Sequence, residues 1–308
     1  MRPSHIALAV LVTAVWGVNF VVIDIGLDHF PPLFFSGLRF LVAAVPAVFL
    51  VARPAVAWKW IVGVGMSLGV AKFGLLFVGM DQGMPAGLSS LVLQAQVLFT
   101  VIFAVALMGE RLGRLRVVGM VAAFGGVVVA GVDEGSSGPL RAFALVIAAA
   151  AAWGVANILT RRAAPPDALS WMVWVSLVPP LPLFALSLLL EGPTAGIDAV
   201  RGLDWEGAGA LLFVAWVATV FGFGVWGFLL RSYDASTVVP FALLVPVFGM
   251  SSAALLLGER ITPLGLVAAA LLIGGVALTT VSGRPWPRGR GPRRRAQREA
   301  AARTGAPV

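Results

Sequence analysis

Residues 6–27 read IALAVLVTAVWGVNFVVIDIGL, with Asp24 as the lone charge. A stretch of this length exceeds the roughly 20 residues a helix needs to cross the hydrocarbon core of a bilayer. Comparable stretches follow at Leu33–Val51, Leu91–Met108 and Leu211–Leu230. Lipid gives the backbone nothing to bond to, so a spanning segment is a helix or part of a closed barrel. None of these stretches alternates with the period of two that a barrel strand needs. Hydrophobic residues make up 59% of the 308 and charged residues only 12%, too little charge to cover a soluble surface. The fold class is an all-α integral membrane protein. Pro, Gly and charge punctuate the chain into ten transmembrane helices. They are expected at residues 5–27, 33–52, 58–80, 86–108, 114–131, 140–160, 169–190, 205–230, 236–257 and 263–281.

The ten spans form two sets of five. Trp16-Gly17 returns as Trp153-Gly154, an offset of 137, and Pro31-Pro32 returns as Pro165-Pro166. Gly109-Glu110-Arg111 returns as Gly258-Glu259-Arg260, and the same offset of 149 aligns Gly125-Gly126-Val127 with Gly274-Gly275-Val276. The two offsets differ by 12, which the hydrophilic connection Glu191–Asp204 absorbs. Five crossings are an odd number, so the second repeat enters the membrane upside down. Inverted repeats of this kind build many alternating-access transporters. The expected units are residues 5–131, residues 140–281 and a basic tail, 282–308.

Of the net charge of +8, the tail carries +7, with eight arginines against Glu299. After a last apolar span, such a run anchors to anionic headgroups or fixes topology, and no nucleic-acid partner is expected. With the N-terminus inside, cytoplasmic segments hold seventeen Lys and Arg. The outer connections hold three, Arg141, Arg201 and Arg260. Both termini are expected to be cytoplasmic. Cysteine is absent and the two histidines, His5 and His29, sit at opposite ends of the first span. No disulfide, metal site or catalytic dyad is expected from them, and no cofactor.

Polar residues inside spans are the functional signal. Trp16 and Asn19 share a helical face in the first span, as do Trp153 and Asn157 in the sixth. Arg39, Lys72 and Gln94 lie in spans two, three and four. Asn19, Arg39, Lys72 and Gln94 all fall six to eight residues from the expected outer ends, roughly 10 Å deep at 1.5 Å per residue. Four polar groups at one depth point to a substrate cavity. The plainer alternatives are helix–helix hydrogen bonds for Asn19 and Gln94, and a structural pairing of Arg39 with Asp24. Asp24 is the one acid well inside a span and is a candidate charge partner or coupling group. Trp171, Trp174, Trp205 and Trp286 read as interface anchors. The two Gly-Glu-Arg triplets read as structural turns: Gly109, Glu110, Arg111 and Gly258, Glu259, Arg260.

Gly65-Met66-Ser67-Leu68-Gly69 matches the G-x-S-x-G elbow of hydrolases. That chemistry needs a strand-to-helix turn and a histidine base. Within an apolar span with no histidine nearby, the small residues four apart mark close helix packing instead. An enzyme is not expected.

Several stretches carry a resemblance. They are Trp16-Gly17-Val18-Asn19-Phe20, Gly37-Leu38-Arg39-Phe40, Met84-Pro85-Ala86-Gly87-Leu88, Leu93-Gln94-Ala95-Gln96, the two Gly-Glu-Arg turns and Leu243-Leu244-Val245-Pro246-Val247. In these the chain resembles the EamA-type drug/metabolite transporters, in particular their O-acetylserine/cysteine exporter branch. The resemblance covers nearly everything but the tail. It implies two EamA-like repeats and export of a small, amino-acid-like substrate across the bacterial inner membrane. Two departures bear on the substrate: that branch usually has lysine at Asp24 and glutamine at Lys72. The alternatives are efflux or uptake of a drug or another metabolite by the same fold, and a passive channel.

Overall fold

The computed structural model describes residues 1–110, 112–135 and 139–281. Arg111 and the basic tail, with Trp286, lie outside the described residues. Ten apolar helices carry the described chain, and no strand occurs among these residues. They are α1 Pro3–Leu27, α2 Pro32–Val48, α3 Trp58–Asp81, α4 Ala86–Met108, α5 Arg114–Asp133, α6 Leu140–Ala163, α7 Ala168–Leu190, α8 Trp205–Ser232, α9 Ser236–Leu256 and α10 Pro263–Thr280. Nine are long and apolar enough to cross a membrane, and α2 is shorter, at 17 residues with Pro46 inside it. Its expected end at residue 52 is therefore four residues too late. A short helix, Ala195–Arg201, sits in the connection between α7 and α8. Ten crossings return the chain to the face where it began, called here the termini face.

The two halves are not side by side. The first helix of each is housed largely by the other half: α1 packs on α8 and α9, while α6 packs on α3, α4 and α5. Glycine permits both approaches. A Cβ at Gly17 would fall 2.5 Å from Phe248 Cβ on α9, and one at Gly154 would fall 2.8 Å from Phe99 Cβ on α4. The remaining helices also pair across the repeat, α2 with α7 and α5 with α10. In the last pair Gly126 and Gly275 face the partner backbone, while their neighbours Gly125 and Gly274 face open space.

Four helices change pitch, at equivalent places in the two halves. Gly65–Phe73 in α3 and Phe213–Phe221 in α8 are π-helical. Leu93–Ala95 in α4 and Val239–Leu243 in α9 are 3-10 turns. Hydropathy reads all four as uninterrupted spans, because a change of hydrogen-bond register leaves composition untouched. π-Helical turns concentrate at functional sites.

The G-x-S-x-G stretch is the wider part of α3. Gly65 and Gly69 lie against Val178 and Pro179, where α7 breaks before resuming at Pro180. Ser67 Oγ donates to its own helix, at Gly63 O. The motif is a packing surface. Trp171, expected as an interface anchor, is instead buried within the core, at 4% exposed. Trp205 is 94% exposed at the start of α8.

Candidate functional site

Arg39 comes from α2, and Lys72 with Phe73 from the end of the π-helical stretch of α3. Arg39 Cζ lies 4.1 Å from the Phe73 ring centroid and Lys72 Nζ lies 3.2 Å from the same centroid. The two cations are thus no further apart than the sum of those distances. Lys72 Nζ also faces the Trp153 ring of α6, at 4.7 Å. All three distances fall within the roughly 6 Å over which a ring face attracts a cation. Arg39 and Lys72 are 2% and 4% exposed, and burying unpaired charge is costly.

The partner of Arg39 is a hydroxyl. Nε and Nη2 both donate to Thr219 Oγ1, at 3.2 and 3.0 Å. Thr219 Oγ1 donates onward to Val214 O at 2.8 Å, five residues back along the π-helical turn. Arg39 Nη1 is buried and has no hydrogen-bond partner. Next to this contact, Trp16 Nε1 donates to Ala218 O at 2.9 Å. So α1 and α2 both fasten onto consecutive residues of α8. A narrow crevice bounded by Ala43, Met172, Val173, Ser176 and Val220 reaches Thr219.

The expected pairing of Arg39 with Asp24 does not occur. Asp24 sits half-buried near the end of α1, and the charges acting on it are Glu259 and Asp28. Residue spacing along each helix gives depth, but not that α8 supplies Thr219 beside Arg39. Asn157 is also spoken for. Its Nδ2 donates to Gln96 Oε1 at 2.7 Å and to Thr100 Oγ1 at 3.0 Å. Its counterpart Asn19, 6% exposed, has an Oδ1 with no partner. Gln94, 7% exposed, gives its Nε2 to Ala242 O on α9 at 3.4 Å. The seven candidates therefore divide. Arg39, Lys72 and Trp153 gather around Phe73, Trp16 joins them through α8, Gln94 and Asn157 are held in helix-to-helix bonds, and Asn19 is buried with its oxygen unpaired.

The Gly-Glu-Arg triplets do more than turn the chain. Gly109 and Gly258 take the left-handed conformation that ends a helix, with φ of 68° and 70°, at little cost for glycine. Glu259 then reaches across the halves and accepts from Ala86 N and Gly87 N, at 2.7 and 3.0 Å. Burial pushes its carboxyl above the ordinary glutamate range, and these two amide bonds pull the other way. Glu191, read as part of a connection, does the same for α2. It accepts from Leu33 N at 2.5 Å and Phe34 N at 3.2 Å. The cause lies in the sequence: α2 and α4 start with Pro31 and Pro85 in the capping position, where no side chain can accept. The unpaired amides and the helix dipole then favour a carboxylate from elsewhere. On the termini face Glu110 behaves differently, pairing with Arg161 at 2.5 Å and Arg116 at 3.7 Å. Arg260 is exposed. Among the described residues no three acids or histidines come together as a metal site would require.

A chain of ten apolar helices with a repeated five-helix unit can be compared with known families. The sequence model of the EamA-like transporter family matches residues 3–132 and again residues 140–281. The chain belongs to this family. Among its relatives is the "Probable amino-acid metabolite efflux pump" of Escherichia coli strain K12, 42% identical over 285 residues, covering 91% of this chain and 95% of that one. The Salmonella typhimurium protein of the same description is 43% identical, covering 87% and 92%. A solved crystal structure, 21% identical, superposes with a TM-score of 0.61 over 94% of this chain and 100% of that one, which shows a shared fold. An EamA-family protein with these helices is a multi-pass membrane transporter.

Proposed function

We propose that this EamA-family chain exports small amino-acid-like metabolites, of the kind of O-acetylserine and cysteine, by alternating access. The reading places it in the bacterial inner membrane with both termini cytoplasmic. One observation carries it: two buried cations share the Phe73 ring where the halves meet, and Arg39 keeps an N–H with no partner. A carboxylate is the group that such a pair accepts, through short charge-assisted bonds. The relatives named as amino-acid metabolite efflux pumps support a substrate bearing one. In this reading Lys72 and Arg39 hold the carboxylate, and Trp16 and Trp153 wall the site. Asn19 offers its free oxygen, while Asn157 and Gln94 hold the helices that frame it. The halves rock about this point. The basic tail rests on anionic headgroups.

Counterflow in proteoliposomes tests the reading. Purified protein should exchange internal for external L-cysteine or O-acetyl-L-serine, and Asn19→Ala should slow exchange without lowering the yield of folded protein. No counterflow with any amino acid would sink it. Topology is tested separately in this cysteine-free chain. Gly113→Cys should be shielded from an impermeant thiol reagent added outside whole cells, and Arg260→Cys should be labelled.

A further inference from the structure

We propose that the site selects substrates with net negative charge, either amino acids whose amine is acylated or those with a second acid, over zwitterions. The inference rests on the export reading above and, within amino-acid-like metabolites, moves the preferred substrate away from zwitterions such as cysteine and O-acetylserine toward anions.

Arg39 and Lys72 put two basic groups into a buried space, and an anion arriving beside them would hold both in the charged form. None of the ion pairs among the described residues involves either one. The partners they do have are neutral: the Thr219 hydroxyl and the faces of Phe40, Phe73 and Trp153. Asp24, the acid expected to pair with Arg39, lies instead among Glu259 and Asp28. A zwitterion entering here brings one negative and one positive charge and leaves the excess unchanged. Its ammonium must settle close to two like charges in a medium that screens poorly. The ring faces that could take an ammonium already face Lys72 and Arg39. Among the described residues the buried side-chain oxygens without a partner are Asn19 Oδ1 and the hydroxyls of Ser36 and Ser89, which can receive an N–H but carry no charge. An acylated amine removes the repelled cation and keeps an N–H for such an oxygen. A second carboxylate offsets the second cation outright.

Lys72 is the residue that makes the difference. With glutamine there, one cation and one carboxylate would balance, and an ammonium would meet less repulsion. Like-charge juxtaposition is strongly penalised at a desolvated contact, so a preference of at least about tenfold is expected.

The test uses the full-length protein in proteoliposomes and reads inhibition of counterflow, with tryptophan fluorescence as a binding readout. The probes are L-cysteine, N-acetyl-L-cysteine, L-aspartate and L-cysteine methyl ester. The expected result is that N-acetyl-L-cysteine and L-aspartate bind at least about tenfold more tightly than L-cysteine, and that the methyl ester binds most weakly. Lys72→Gln should narrow the gap between N-acetyl-L-cysteine and L-cysteine, and Lys72→Arg should keep it. L-cysteine binding as tightly as the anions, or a folded Lys72→Gln protein with the gap intact, would overturn the charge preference and leave the export reading standing. Failure of all four probes to bind folded wild-type protein would overturn both.

Discussion

Gln94 supplies to Ala242 the hydrogen bond that Pro246 withholds. Ala242 is four residues before Pro246, and a proline has no N–H to return to the carbonyl one turn back. Nε2 of Gln94, from the other half of the molecule, reaches that carbonyl at 3.4 Å. It does so from the 3-10 turn of α4 into the 3-10 turn of α9.

Gln94→Leu should therefore leave the Ala242 carbonyl with only the Leu244 N–H of its own turn, at a cost of about 0.5–1.5 kcal/mol. In a Pro246→Ala background the helix can make its own bond, and the same Gln94→Leu change should cost much less. A double-mutant cycle on unfolding in detergent measures the coupling. Additive losses would mean that the two residues act separately.

Thr219→Val keeps the shape of the side chain and removes the acceptor of both Arg39 bonds. Hydrogen bonds to charged groups are worth about 1.5–3 kcal/mol. Apparent stability should fall by about that amount, and Thr219→Ser should recover most of it. Equal behaviour of the two variants would show that the methyl group matters and the hydroxyl does not.

Glu259 predicts a pH dependence. Its folded-state carboxyl titrates above the ordinary glutamate value of 4.5. The folded protein then holds more protons than the unfolded chain between those two values, so stability falls as pH rises through that window and levels off above it. Asp24 on α1 is the acid that shares this neighbourhood, and exposed Arg260 adjoins it in sequence. Subtracting the Glu259→Gln curve from the wild-type curve isolates the residue. The difference should slope downward from about pH 4.5 and then flatten; parallel curves would remove Glu259 as the source.

Gly274 and Gly275 are neighbours with opposite fates. A Cβ at Gly275 would collide with the α5 backbone at Ala123 and Gly119, and one at Gly274 meets nothing within 4 Å. Gly275→Ala should cost about 1–3 kcal/mol by forcing α5 and α10 apart, and Gly274→Ala should be neutral. Matching melting temperatures for the two variants would contradict the observed pairing.

The bundle was legible because its signals are compositional. Apolar length marks a span, and Trp16-Gly17 against Trp153-Gly154 marks the repeat. Burial of Arg39 and Lys72 could also be read, since a charge deep in a span has few places to go. Their surroundings could not. Thr219 is a small polar residue in the apolar stretch Leu211–Leu230, and nothing local shows that it meets α2. The π-helical turns leave no trace in hydropathy. Glu191 and Glu259 were findable in principle: a helix that opens on Pro31 or Pro85 advertises amides without a local acceptor, and a lone glutamate after an apolar span is a natural supplier. Asp24 misled because it is the one acid well inside a span, which suggested a pairing with Arg39, whereas the partner of Arg39 is Thr219 of α8.

That exchange has a bearing on how the protein is made. A ribosome delivers α1 into the membrane long before α8 and α9 exist, so the first helix waits beside lipid with most of its eventual neighbours unsynthesised. For α6 the opposite holds, since α3, α4 and α5 are already in place to receive it. The second half is thus received by a scaffold, while the first is completed only when the chain is nearly finished. Neither half is a self-sufficient unit, and quality control acting on a nascent chain would find an unsatisfied α1 until α9 had entered the bilayer.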